Sequence, residues 1–170
     1  MSKLKGKKKL NKAVSAQLAQ FGIKDAKLST EYSYMWEKER ITYKLTETMG
    51  DELFNDFVFD RFGYKVENTF IFSLLHEVGH HLANDEIEGA ICEFCNNEKD
   101  RIEKAMQTAE TENEIKEIEY QYFNLPDEIM ATQWAVNYAR QNPLEVSVMW
   151  ACIKQELEKF YTKNGLLGAE

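Results

Sequence analysis

All three histidines of this 170-residue chain lie within one stretch, FSLLHEVGHH, at residues 72–81. His76 and His80 are four residues apart, so on a helix they lie one turn apart on the same face. At this spacing two imidazole nitrogens can bind one zinc ion at about 2.1 Å each. Glu77 projects about 100° round the helix from His76, so it can take a proton from a zinc-bound water without being a ligand. These are the parts of a zinc metallopeptidase.

Two further residues of this stretch have other expected roles. A glycine inside a helix costs about 1 kcal/mol relative to alanine. Gly79 therefore indicates either the close approach of another backbone beside the metal or a glycine that is simply tolerated. His81 is five residues from His76 and points away from the shared face, so we expect it to support a ligand by a hydrogen bond or to face solvent.

The third protein ligand must be a carboxylate or a thiolate, because the chain has no further histidine. A catalytic zinc has three protein ligands and one open position. Glu86 follows His80 by six residues. To bind the metal from there, the chain would have to leave the helix sharply at residue 83, where the sequence has Ala83, a helix-forming residue. Glu128 stands early in a helix that Pro126 begins, from where it can point at the metal. An acid there also complements the positive end of the helix, so both candidates stay open.

The elements that must position these residues are mostly helices. The motif helix is predicted over residues 69–83, with Asn68 or Thr69 as its cap. Capping residues, apolar spacing, prolines and glycines predict the other helices at residues 12–21 (capped by Asn11), 51–62, twice within 85–122, 126–141 and 143–164.

Alternating side chains over residues 27–46, interrupted by the charged EKER, predict a β-hairpin. A further short strand is predicted at residues 64–68. The expected fold is α+β, mostly helical, with a small antiparallel sheet in front of the active-site helix, as in a zincin-like protein. The hairpin is expected to offer an edge strand to an extended peptide substrate.

Composition predicts one domain over residues 11–165, preceded by a basic flexible arm at residues 1–10. The first twelve residues carry six lysines and no acid, whereas the remainder has 15 basic against 29 acidic residues. The arm is expected to be solvated or to contact nucleic acid or an acidic partner, while the acidic remainder argues against a nucleic-acid-binding face on the domain.

The location in the cell is predicted from the apolar segments and the cysteines of the sequence. No apolar run is suited to a signal peptide or a membrane span, so no membrane contact is expected. The three cysteines fit a reducing compartment. We therefore expect a cytoplasmic protein.

Two segments resemble the motifs of the ImmA/IrrE-type zinc peptidases. FSLLHEVGHHL is similar to their F-T-L-A-H-E-L-G-H signature, and EIMATQWA to their second motif, E-x-x-A-N/D-x-F-A. The resemblance implies a gluzincin-like site with His76, His80 and Glu128 as Zn²⁺ ligands and Glu77 as general base. It also implies a specific protein substrate, such as a transcriptional repressor, and a phage or mobile-element setting.

The second motif departs from that family in detail. Thr132 stands where the family has Asn or Asp, although its hydroxyl can still bond to a histidine ligand, and Trp134 replaces phenylalanine. Ala131 is expected to keep the helix contact close. The family's L-L-M-P ending is absent.

A developing oxyanion needs a donor besides the metal. With every histidine in the motif, the donor must be tyrosine or arginine. The candidates are Tyr120, Tyr122, Tyr138 and Arg140, of which we predict Tyr138.

The predicted function is thus hydrolysis of a peptide bond in a protein substrate by a zinc-activated water, with Glu77 as general base. A first alternative is a catalytically silent zincin-fold protein that acts as a regulator or binding module. A second is a metal-free helical interaction protein that uses its lysine arm and acidic helices.

Overall fold

The computed structural model of the chain describes residues 4–83 and 90–166. Within these ranges the protein has seven α-helices and three short strands, which confirms a mostly helical α+β fold. The helices are α1 (Lys7–Leu18), α2 (Met49–Phe62), α3 (Thr69–Ala83), α4 (Ala90–Met106), α5 (Glu112–Phe123), α6 (Pro126–Gln141) and α7 (Pro143–Asn164). The strands are β1 (Asp25–Leu28), β2 (Ser33–Met35) and β3 (Arg40–Tyr43). Every helix in the described ranges is too short or too polar to cross a membrane.

Local signals place most helix ends where they were predicted. Pro126 is the first residue of α6, and Gly63 closes α2 in a left-handed conformation with φ 60°. Asn68 caps α3, because its Oδ1 accepts a hydrogen bond from the Ile71 backbone N–H at 2.9 Å. The strand predicted at residues 64–68 does not exist. This short connection leads directly to the α3 cap and has no pairing strand to satisfy its backbone groups.

The chain divides into two compact units. Unit 1 consists of Met1–Leu45 and Ala139–Glu170, and unit 2 consists of Thr46–Tyr138. Unit 1 therefore contains α1, the three strands and α7, whereas unit 2 contains α2 to α5 and most of α6. The single domain predicted over residues 11–165 thus consists of two units.

In unit 1, α1 packs against β1 and α7. Its buried side chains Leu10, Val14 and Leu18 are spaced four residues apart and so share one face. Residues 1–10 were predicted as a flexible arm, but α1 begins at Lys7, so residues 7–10 are helical and Leu10 is buried in this packing. The end of α7 holds the chain just before α1: the Lys5 backbone N–H donates to Asn164 Oδ1 at 2.9 Å.

The sheet of unit 1 is mixed, with strand order β1-β3-β2, which corrects the predicted antiparallel sheet. β2 and β3 form the predicted antiparallel hairpin, but β1 pairs parallel with β3. The first predicted strand is broken after Leu28, since the chain crosses to the far side of β3 before it forms β2.

Helix α1 covers the outer edge of β1. Asn11, predicted as a cap, lies inside α1, and its Oδ1 accepts hydrogen bonds from the Leu28 N–H at 3.0 Å and the Tyr43 hydroxyl at 2.7 Å. Ser15 Oγ accepts another from the Ala26 N–H at 2.8 Å. These side chains take the place of a neighbouring strand, so a peptide that adds to this sheet must use β2.

In unit 2, the middle of α3 is buried on all sides. Every residue from Ile71 to Gly79 is buried, which is typical of a helix enclosed by other elements. Aromatic rings from α2 and α5 pack beside it, with Phe54 lying 6.0 Å from Phe72 and 5.2 Å from Phe123 between ring centroids. The motif helix is thus the centre of its unit.

Candidate metal centre

His76 and His80 converge as their spacing predicts. Both lie on α3 one turn apart, and their Nε2 atoms are 3.1 Å from each other. His76 is buried and His80 partly buried, with 9% and 19% of their side chains exposed. His81 follows them on the helix, is half-buried, and does not belong to the group of converging atoms.

Glu128 joins the two histidines from the first turn of α6. Its Oε2 lies 3.1 Å from His76 Nε2 and 3.3 Å from His80 Nε2, and only 3% of its side chain is exposed. Glu128, the downstream candidate for the third ligand, therefore lies where it could bind the same metal ion as the two histidines. The other candidate, Glu86, lies outside the described residues.

The three atoms form a nearly equilateral triangle that fits a small cation. Four-coordinate zinc, with bonds of about 2.0–2.1 Å, places neighbouring ligand atoms about 3.3 Å apart. The observed separations are 3.1, 3.1 and 3.3 Å. Within the described ranges this is the only group of three or more His, Cys, Asp or Glu side chains placed to hold a metal ion. Cys92 and Cys95 belong to no such group, and only Cys95 is buried.

The charge state of Glu128 suits a ligand. Burial by itself raises the pKa of its carboxyl group, but the facing His80 and His76 outweigh burial and hold this pKa well below its ordinary value. Glu128 is therefore a carboxylate at neutral pH, and both of its oxygens accept rather than donate.

Gly79 allows α3 and α6 to approach closely. A Cβ atom at this position would lie 2.8 Å from Ala131 Cα and 2.9 Å from the Ala131 carbonyl carbon, closer than real side chains come. The glycine is thus required by a neighbouring backbone beside the ligands, the first of its two predicted explanations. This close approach occurs on the helix that also carries Glu128, three residues before Ala131.

The ring of His76 is fixed from two directions. Thr132 Oγ1 lies 3.1 Å from His76 Nδ1, so Nε2 faces Glu128 and His80. The Phe54 ring meets the imidazole edge-on, with centroids 5.0 Å apart. Thr132 therefore does make the predicted bond to a histidine.

Glu77 and Tyr122 lie beside the three converging side chains. Glu77 is buried, with 7% exposure. Burial, the charge of Glu128 and a hydrogen bond to Glu128 raise the pKa of the Tyr122 hydroxyl, and Glu77 adds to this shift. The hydroxyl of Tyr122 is therefore within the electrostatic reach of both carboxylates and stays protonated at neutral pH.

Tyr138, the predicted oxyanion donor, lies elsewhere. It is ten residues after Glu128 on the same helix, about 15 Å farther along the axis, and its ring stacks on Trp134 with centroids 5.1 Å apart. Tyr120 turns towards α2, where its hydroxyl is 3.5 Å from Asp60 Oδ2. Tyr122 is therefore the candidate whose hydroxyl lies beside Glu128, since that carboxylate contributes to the raised pKa of the hydroxyl.

Lys99 is a residue of the site that the sequence did not indicate. Its Nζ donates to Glu128 Oε1 at 2.7 Å and to Asp127 Oδ2 at 2.5 Å. The only signal is helical spacing: Lys99 follows the buried Cys95 by four residues and precedes the buried Ile102 by three, so it lies on the apolar face of α4. A lysine at such a position needs an anionic partner.

The two segments that resemble the ImmA/IrrE motifs, residues 72–82 and 128–135, meet in this site through His76, His80 and Glu128. The likeness is confined to these short segments. Comparison of the whole chain with protein-family models, with curated proteins and with solved structures finds no match.

Proposed function

We propose that the protein is a zinc metallopeptidase with His76, His80 and Glu128 as metal ligands. One observation carries this proposal: three electron-pair donors from two helices lie 3.1–3.3 Å apart in a buried place. Such atoms repel one another unless a cation or protons lie between them. Stability alone therefore does not explain why the fold brings these atoms together.

The donor types favour zinc among the common cations. Magnesium and calcium prefer oxygen ligands in larger number, whereas two imidazoles and a carboxylate are a frequent zinc set. The short separations also suit zinc bond lengths better than the longer bonds of calcium. Three protein ligands leave one position open, as catalytic zinc requires.

The residues around the ligands supply the remaining roles. A bound zinc ion would acidify a water molecule and polarise the substrate carbonyl. Glu77, buried next to His76, is the general base that accepts the proton. Tyr122 replaces Tyr138 as our candidate donor to the negative charge that develops on the substrate. Thr132 keeps the His76 ring oriented.

The motif resemblance extends this proposal to a gluzincin-type site in a zincin-like fold. It supports a protein substrate, with a transcriptional repressor as the class to test first. A cytoplasmic setting agrees with Cys92, Cys95 and Cys152, all of which are free thiols.

The test compares the wild type with Glu77→Gln. We expect about one zinc per chain in both, because Glu77 is not a ligand. Only the wild type should cleave a degenerate peptide library, with products read by mass spectrometry. Glu67→Gln changes an exposed glutamate of the same unit and should keep both zinc and cleavage.

Each outcome decides between the functions. Equal cleavage by wild type and Glu77→Gln would overturn the assigned base. Zinc binding without cleavage of peptides or of repressor proteins by the wild type would favour the silent zincin-fold regulator. Failure to take up zinc after reconstitution would favour the metal-free interaction protein.

A further inference from the structure

The two carboxylate oxygens of Glu128 face different partners. Oε2 faces the Nε2 atoms of His76 and His80, whereas Oε1 accepts a hydrogen bond from Lys99 Nζ at 2.7 Å. Lys99 comes from α4, a different helix from those that carry the three predicted ligands. One oxygen is thus directed at the candidate metal position while the other is held by an ammonium group.

Several contacts hold Lys99 in this position. Its Nζ also donates to Asp127 Oδ2 at 2.5 Å, and it lies 5.3 Å from the centroid of the Tyr122 ring. The Lys99 side chain therefore forms ion pairs with two carboxylates, those of Glu128 and Asp127. Lys99 is therefore a fixed cation, and its bond to Oε1 is charge-assisted.

A carboxylate can bind a metal ion through one oxygen or through both. If Glu128 used both oxygens, it would fill a position that a catalytic zinc keeps open. An ammonium group bonded to Oε1 competes for its lone pairs and opposes that second metal bond. We propose that Lys99 is a positioning residue that restricts Glu128 to one-oxygen coordination and so keeps the fourth metal position open. This inference rests on the proposed metal site.

A purely structural role for Lys99 predicts something different. Lys99 also balances two adjacent carboxylates, Asp127 and Glu128, at the first turn of α6. Removal of a structural lysine would lower stability but leave the number of metal ligands unchanged. Removal of a positioning lysine would let the second oxygen of Glu128 bind the metal, and the spectrum of the metal would show this additional ligand atom.

The experiment uses cobalt in place of zinc, because the visible spectrum of Co²⁺ reports its coordination geometry. The wild type should show the intense bands of four-coordinate cobalt. Lys99→Met keeps the apolar stem and should shift the spectrum to the weaker bands of five-coordinate cobalt. Lys99→Arg should restore the wild-type spectrum, since a guanidinium group can also donate to Oε1. Lys104→Met, at an exposed position of the same helix, is the matched control and should match the wild type.

The outcomes separate this inference from the proposed function. If the wild type binds neither cobalt nor zinc, the metal site itself fails. If the wild type binds cobalt and Lys99→Met gives the same spectrum, only the role of Lys99 is overturned. X-ray absorption on the zinc-loaded wild type gives a further test that does not depend on a variant folding: four ligand atoms are expected, and a second oxygen from Glu128 would refute one-oxygen coordination.

Discussion

Unit 1 and unit 2 differ in what they bury. In the described part of the chain, the six buried polar or charged residues all belong to unit 2: Asp51, Ser73, His76, Glu77, Glu128 and Thr132. The core of unit 1 is apolar, and the buried Tyr43 directs its hydroxyl to Asn11. Buried polar groups cost free energy unless they are paired, so stability alone does not explain why four of the six surround one point. Unit 2 is therefore the unit that contains the buried polar side chains of the candidate metal centre.

The two units also differ in charge. The sequence of unit 1 has 15 Lys and Arg against 8 Asp and Glu, whereas that of unit 2 has 6 against 21. Negative charge therefore disfavours a nucleic-acid-binding face on unit 2 but not on unit 1. An acidic surround raises the local concentration of cations, which suits the unit that holds the candidate metal centre.

The presence or absence of the metal should cause the largest difference in stability between the two units. Zinc at about 1,000 times its Kd should stabilise the unit that binds it by about 4 kcal/mol. We therefore expect amide hydrogen exchange in α3 and α6 to slow when zinc is added to metal-free protein. The helix α1 and the strand β1, in unit 1, are the internal control and should gain less protection. Equal gains in both units would show that they unfold together.

Substitution of Gly79 should have the next largest effect. Alanine there would put a Cβ 2.8 Å from Ala131 Cα, and a helix backbone cannot move aside as a side chain can. We expect Gly79→Ala to lower the unfolding free energy by about 3 kcal/mol and to abolish zinc binding, as measured by urea denaturation and zinc titration.

Gly50 provides the matched control for that substitution. It lies in α2 of the same unit, where a Cβ would meet Glu119 Oε1 at 3.5 Å, an ordinary contact. Gly50→Ala should be neutral or stabilising by up to about 1 kcal/mol. Similar stability changes in the two variants would contradict the close packing of α3 on α6.

Thr132→Val tests the support of the ligand ring. The change keeps the shape but removes the partner of His76 Nδ1, so zinc affinity should fall by about 10- to 100-fold. Competition with a chromophoric chelator measures this loss. Thr162→Val, in unit 1, removes a hydroxyl that donates to the Glu158 carbonyl and should leave affinity unchanged. An unaltered affinity for Thr132→Val would mean that Thr132 does not orient the ring.

Tyr43→Phe should have the smallest effect. It removes the hydrogen bond from the Tyr43 hydroxyl to Asn11 Oδ1 in unit 1, which should cost about 1 kcal/mol of unfolding free energy. Zinc affinity should not change. A clear drop in affinity would show that the buried polar contacts of unit 1 also serve the metal centre.

The sequence by itself determined the features that depend on near neighbours along the chain. Asn68, Gly63 and Pro126 set helix ends wherever the helices pack, because capping and backbone restrictions are local. A spacing of four residues puts His76 and His80 on one helix face in any surroundings.

Only the tertiary structure decided the features that depend on distant partners. β1 pairs parallel with β3 while α1 covers its other edge through Asn11 and Ser15, and no local pattern encodes that arrangement. Lys99 is one of two lysines on the charged helix α4, and only the packing of α4 against the first turn of α6 distinguishes it from Lys104. Contacts between such segments follow from which surfaces can be buried together, and the periodicity of a single segment does not contain that information.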